Sequence, residues 1–190
     1  MDIREKLLDA AARLYAETGF RGTTTRRIAQ EAGVNEITLF RHFGSKAALL
    51  HEAIARPLGS VHEALLPDVP VAPERELLDW ARHYAVDMRG RRRLIRTCMA
   101  ECEEFPEMRP PEGSGPVQAR EVLCRYLERL REQGRARTDF DPGVAAAMLM
   151  GALFADAMGR DVMPEMFTTD ADASLAQYVH LFLRAIGAAS

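Results

Sequence analysis

Cysteine is scarce in this chain: three thiols among 190 residues, Cys98, Cys102 and Cys124, with no CxxC pair and no Cys/His spacing suited to zinc. A disulfide framework and a structural metal are therefore not expected, and free thiols suit a reducing cytosol. Cys98 and Cys102 lie one helical turn apart, which leaves a thiol sensor as a minor reading. Long apolar runs are also missing. The longest, Val144 to Ala155, falls short of the roughly 20 residues that span a bilayer. The opening Met1-Asp-Ile-Arg-Glu-Lys-Leu-Leu-Asp9 mixes charges with apolar residues at helical spacing, so no leader peptide is expected. There is no nucleophile elbow, no phosphate-binding glycine loop and no His-based catalytic signature. A helical enzyme is thus the weakest reading, and no cofactor or metal is expected.

Strong charge of one sign is lacking too, with a formal net charge of −3. Its distribution is uneven. Residues 1–50 carry eight basic and six acidic side chains, a net +2, which leaves −5 for the remainder. A small basic end on an acidic body fits contact with a polyanion, although +2 is modest. The 47% hydrophobic content is enough for a core, and 190 residues suit one compact body or two small ones.

Residues 22–50 are the most informative stretch. They read as two short helices joined by a tight turn and followed at once by a third, the arrangement by which a helix-turn-helix delivers side chains to a major groove. Thr24 or Thr25 serves as N-cap of the first helix, and Ile28, Ala29 and Ala32 form its apolar side. Gly33 stands where the backbone must take a positive φ, and Asn35 caps the next helix. There Leu39 and Phe43 share the inward face, Glu36, Ile37 and Thr38 occupy the first turn, and Arg41 projects outward. Gly44 closes that helix. Ser45 caps another that begins at Lys46, whose ammonium is placed to meet a phosphate.

With these residues the chain resembles the TetR family of transcriptional regulators. The matching positions are Thr24-Thr25, Ile28-Ala29, Ala32-Gly33-Val34, Thr38-Leu39-Phe40, His42-Phe43, Ser45-Lys46 and Leu49-Leu50. The resemblance implies an all-α homodimer with an N-terminal three-helix DNA-binding domain and a C-terminal helical domain for ligand binding and dimerisation, about nine helices in all. It implies a repressor that binds a near-palindromic double-stranded operator and is released by a small molecule. The DNA-facing positions would be Thr25, Arg26, Glu36, Ile37, Thr38, Phe40, Arg41, His42 and Lys46. Many family members carry Lys and Gly where this chain has Glu36 and Ile37, and Tyr where it has Phe40. Glu36 can accept from a cytosine amino group, or simply sit as a solvated charge at a helix N-terminus, while Ile37 offers a thymine methyl an apolar contact.

Around this motif, Ile3, Leu7, Ala10, Ala11 and Leu14 mark an amphipathic helix over about 2–18 that Gly19 ends and that braces the motif. The expected division is a DNA-binding domain over 1–48 and an effector-binding and dimerisation domain over 49–190. The helix from Ser45 meets Pro57 and Gly59, a kink that would join the two, before resuming to Leu66. Helices are expected over about 74–89, with Leu77, Ala81, Tyr84 and Met88 as the stripe, and 91–105, with Ile95, Cys98, Cys102 and Phe105. Residues 106–116 read as a loop by composition, and a helix over 117–133 ends at Gly134. Asp141 and Pro142 open a long helix in which Gly143, Ala147, Gly151, Ala155 and Gly159 form a ridge of small side chains. With a last helix over 174–186, Ala147, Gly151, Ala155 and Gly159 are the expected dimer interface.

Trp80, Tyr84, Met88, Cys98, Cys102, Tyr126 and Phe154 are candidates to line an effector pocket for an apolar or aromatic molecule. Such stripes are first of all a sign of burial. The rival to a ligand-responsive regulator is an architectural DNA-binding protein without effector. Location in the cytoplasm, away from membranes, is expected for either.

Overall fold

The computed structural model describes residues 2–55, 66–109 and 115–188. Among these the chain is all-α, with nine α-helices, two short 3-10 turns and no strand. The expected kink at Pro57 and Gly59 lies outside the described residues. Two compact units form, and their boundary is set by packing and not by chain order. The first takes residues up to 57 together with 91–114, and the second takes 58–90 and 115–190. The expected division at 48/49 follows sequence motifs alone and does not anticipate that 91–109 folds back onto the N-terminal segment.

In the first unit, α1 (Ile3–Gly22) is longer than its periodicity suggests. Gly19 sits at φ 66, ψ −173 and breaks the helix, yet a further turn follows it. Helices α2 (Thr25–Glu31), α3 (Glu36–Phe43) and α4 (Lys46–Ala55) pack in sequence. Helix α6 (Arg92–Glu101) lies along α1, and a 3-10 turn at Pro106–Met108 rests on α4. Leu7, Leu8, Ala11, Leu14, Tyr15, Ile28, Leu39, Leu49 and Leu50 make one core that Leu94, Cys98 and Met108 complete. Helix α6 stops at Glu101, before the expected Phe105. Its fully buried positions are Leu94 and Cys98, while Ile95 and Cys102 are only half-buried. Met108 belongs to a segment polar enough to read as loop, yet it is completely buried.

The second unit holds α5 (Pro73–Gly90), α7 (Gly115–Glu132), α8 (Pro142–Gly159) and α9 (Ala171–Ala185). Helix α8 packs on α5, α7 and α9. Its start is as the sequence indicates: the Asp141 carboxylate accepts from Val144 N–H at 2.8 Å, with Pro142 in the first turn. Helix α8 alone among the described helices is long and apolar enough to cross a bilayer by length and composition. Its inward face is nevertheless spoken for by protein. Asp156, fully buried there, pairs with Arg160 at 2.7 Å and accepts from Tyr178 Oη at 3.2 Å. Arg160 also donates to Ser174 Oγ and to the carbonyls of Phe167 and Thr169, so one guanidinium ties the α8–α9 connection to both helices.

Candidate functional site

The α2–α3 corner is fixed by backbone groups that find local partners. Thr24, of the two threonines the sequence left open, is the cap, and its Oγ1 accepts from Arg27 N–H at 3.3 Å. Gly33 takes φ 70, which lets Gly33 N–H and Val34 N–H reach back to Gln30 and Ala29 carbonyls at 3.2 and 2.9 Å. Asn35 Oδ1 then accepts from Ile37 N–H at 3.0 Å, and Ser45 Oγ accepts from Ala48 N–H at 3.1 Å. Ile28 and Leu39 are fully buried under α1, which aims the opposite side of α3 at solvent.

That outward side collects most of the expected DNA-facing residues. Arg26, Ile37, Phe40, Arg41 and His42 are exposed; Thr25, Glu36 and Thr38 are half-buried. Thr25 and Glu36 meet directly, Thr25 Oγ1 donating to the Glu36 carboxylate, a link between α2 and α3. Lys46 is engaged at home. Its ammonium donates to the Phe20 carbonyl at 2.7 Å and lies 3.7 Å from the Phe20 ring centroid. Arg4 pairs with Glu52 at 2.5 Å and covers the Phe43 ring, so it braces α4.

Residues beyond the motif hold it in place. The Glu101 carboxylate accepts from Phe20 N–H at 2.9 Å, the Phe20 and Phe105 rings meet at a tilt of 40° with centroids 4.9 Å apart, and Arg21 pairs with Glu104 at 2.6 Å. None of these partners is legible from the sequence, because they lie some eighty positions apart; Gly19 is the only local sign.

The candidate effector residues divide between the units. Trp80, Tyr84, Met88, Tyr126 and Phe154 belong to the second, where Trp80 and Tyr84 stack at 5.3 Å. All but Phe154 are buried. Trp80 Nε1 has no hydrogen-bond partner among the described residues. Tyr126 Oη donates to Glu76 at 2.6 Å. Burial disfavours the Glu76 charge, but that bond and the N–H groups of Ala72 and Val71 outweigh it and hold its pKa below the usual carboxylate value. Cys98 and Cys102 fall in the first unit. Burial pushes the Cys98 thiol up, away from the reactive thiolate, and it donates to the Met108 carbonyl at 3.4 Å. A cleft of about 930 Å³ opens elsewhere in the second unit, between Val71–Arg75, Leu78, Gly134, Arg135, Gly187 and Ala188, and none of the seven candidates lines it.

Along the small-residue ridge of α8, Ala147, Gly151 and Ala155 are exposed. A Cβ on Gly151 would meet nothing, so packing inside the chain gives no reason for its smallness. Gly159 differs: it is buried, and a Cβ there would strike the Phe167 ring. Gly143 is likewise closed by Arg120.

A capped α2, a left-handed turn and an α3 whose far side faces solvent define a helix-turn-helix protein of the DNA-binding regulator class. Residues 7–53 match the bacterial regulatory proteins of the tetR family, and residues 77–188 match the AefR-like transcriptional repressor C-terminal domain. The chain therefore belongs to the TetR family of transcriptional regulators. It is 28% identical over 134 residues to the HTH-type transcriptional regulator YvkB of Bacillus subtilis, covering 70% of each chain. The class D tetracycline repressor of Escherichia coli is 42% identical over 64 residues, 34% of this chain and 29% of that one. SmeT, the repressor of the Stenotrophomonas maltophilia multidrug efflux pump SmeDEF, superposes with TM-score 0.69 at 27% identity, covering 96% and 89% of the two chains. A SmeT–triclosan complex gives TM-score 0.72 at 24% identity, covering 96% and 90%.

The left-handed Gly19 is the element most open to test. In the Gly19→Ala variant the new Cβ meets the Glu101 carboxylate and the residue takes a disfavoured φ. A loss of about 1–2 kcal/mol in urea unfolding is expected from the conformation alone. Unchanged stability would show that the break in α1 does not depend on glycine.

Proposed function

We propose that the chain is a repressor that binds a near-palindromic operator as a homodimer and lets go when a small apolar or aromatic molecule enters its C-terminal unit. The observation that carries the DNA half is the exposed face of α3 on a corner whose caps fix its angle. On this reading Thr25, Arg26, Glu36, Ile37, Thr38, Phe40, Arg41, His42 and Lys46 form the contact surface. Arg26 and Arg41 supply charge and donors, His42 adds a ring nitrogen, Thr25 and Glu36 brace α2 against α3, and Lys46 meets phosphate from its place against the Phe20 carbonyl.

The two-fold reading draws on the outward face of α8 and α9. Ala147, Gly151 and Ala155 lie there with Val144 (70% exposed), Met148 (55%) and Leu181 (60%). Small residues flanked by large apolar ones let a second helix approach closely. Gly159 serves the interior of its own unit and drops out of this surface. The effector reading draws on the aromatic group around Trp80, whose indole N–H lacks a partner among the described residues, and on the SmeT–triclosan complex as a relative's behaviour. The closed packing of Trp80, Tyr84, Met88 and Tyr126 favours an architectural binder as the second reading.

Three measurements check these claims. Fluorescence anisotropy against DNA from upstream of the chain's own gene, with scrambled DNA at two salt concentrations, should show preferential binding that persists at the higher salt. Thr38→Ala or Arg41→Ala should weaken it by about 1–3 kcal/mol, the usual range for a lost base contact; equal, weak binding to both DNAs would count against a specific regulator. Sedimentation velocity should show a dimer that Gly151→Arg converts to monomer while helix content stays unchanged, and a monomeric wild type would remove the two-fold reading. Trp80 is the chain's one tryptophan. Titration with triclosan should change its emission and release bound operator together; an operator complex and an emission both indifferent to triclosan would favour the architectural reading.

A further inference from the structure

The first turn of α3 presents an exposed apolar side chain. Ile37 is 74% exposed, and Phe40, three positions on and adjacent on the helix surface, is 46% exposed. Both point away from the buried Leu39. Ile37 cannot drift, because Asn35 Oδ1 holds its N–H and α3 begins there. The charge beside it is turned inward: Thr25 Oγ1 donates to the Glu36 carboxylate and draws it towards α2. What the first turn offers to a base edge is therefore a branched aliphatic group with an aromatic ring at its side.

Only one apolar feature projects from base edges into the major groove, the C5 methyl of thymine. We propose that Ile37, flanked by Phe40, reads thymine methyl groups in each operator half-site, so that specificity at those base pairs rests on apolar contact and not on a hydrogen bond. The inference rests on α3 being the recognition helix, as the proposed function has it. Shape fits chemistry here. A methyl against a sec-butyl group excludes water from both, whereas a cytosine at the same place has only a hydrogen on C5 and leaves the Ile37 side chain without that contact.

The test replaces thymine by uracil, which deletes the methyl and keeps the pairing and the pattern of donors and acceptors. A duplex is first selected from random sequence by the full-length protein, then remade with deoxyuridine at one thymine at a time. Affinity should fall about three- to fivefold at one or two positions per half-site, the effect expected for one buried methyl. The Ile37→Ala variant should bind the thymine and uracil duplexes equally at those positions. Wild-type protein indifferent to uracil at every thymine would overturn the proposal, as would an Ile37→Ala variant that keeps the wild-type thymine/uracil ratio. Discrimination lost in Phe40→Ala but kept in Ile37→Ala would overturn the assignment to Ile37. A selection that enriches no sequence would instead sink the recognition-helix reading itself, and the proposal with it.

Discussion

The geometry of the first unit hangs on the backbone of one residue, Phe20. Gly19 takes a left-handed conformation and interrupts α1, which frees the Phe20 N–H from the helical ladder. Glu101 of α6 takes that N–H, and Lys46 at the head of α4 takes the carbonyl of the same residue. The Phe20 ring fills the space between Lys46 and Phe105. Three elements distant in sequence are thus registered against one residue. The carboxylate needs the close approach that a side chain at position 19 would obstruct. A break that looks like a helix end in the sequence is in this way the joint around which α1, α4 and α6 are set.

The second unit is organised by a division of labour along α8. Its inward side carries Asp156, buried and matched by Arg160, Tyr178 and, through Arg160, Ser174. A buried carboxylate stripped of those partners is strongly destabilising, so the network fixes how α8, α9 and their connection meet. The outward side is apolar and lightly built, with glycine and alanine between Val144, Met148 and Leu181. A helix that is apolar nearly all round has to be covered on both sides, and among the described residues the helices of this unit cover only one. That is the physical reason to look for a second copy there. It also explains why Gly143 and Gly159, which extend the same ridge in sequence, do not share its role: both are closed by side chains of their own unit.

What was legible in the sequence is what is local. Thr24, Gly33, Asn35, Gly44, Ser45, Asp141 and Pro142 do in the structure what helix capping and positive φ require of them, because a cap acts over three or four residues. The stripe on α5 was equally plain, since Leu77, Ala81, Tyr84 and Met88 repeat at helical spacing and are all buried. What was hidden depends on distant partners. Periodicity places Ile95, Cys98 and Cys102 on one side of α6, but the groove of α1 it docks into selects Leu94 and Cys98. Met108 was lost in a proline-rich stretch, where a single buried side chain leaves no period to detect. Lys46 illustrates the limit most clearly. Its position at a helix start suggests a phosphate, the role it keeps in the proposed contact surface, while a partner that no local pattern announces, the Phe20 carbonyl, lies 26 residues away in sequence.

The charges of the first unit bear on how such a protein distinguishes one DNA site from another. Of the eight cations in residues 1–50, Arg4, Arg13 and Arg21 are paired with Glu52, Glu31 and Glu104, Arg27 donates to the Gly22 carbonyl, and Lys46 is engaged by Phe20. Arg26 and Arg41 are exposed on the motif itself. Each phosphate neutralised contributes about 0.9 to the salt slope, so these two arginines of the motif gain little from the polyanion by themselves. Weak non-specific attraction shifts the burden to base contacts, and each mismatched base pair is worth only about 1–3 kcal/mol. One α3 touches too few pairs to reach operator-level discrimination on that scale. Two copies of α3 held at a fixed spacing would nearly double the discriminating energy without added charge, which is the physical argument for the proposed two-fold assembly.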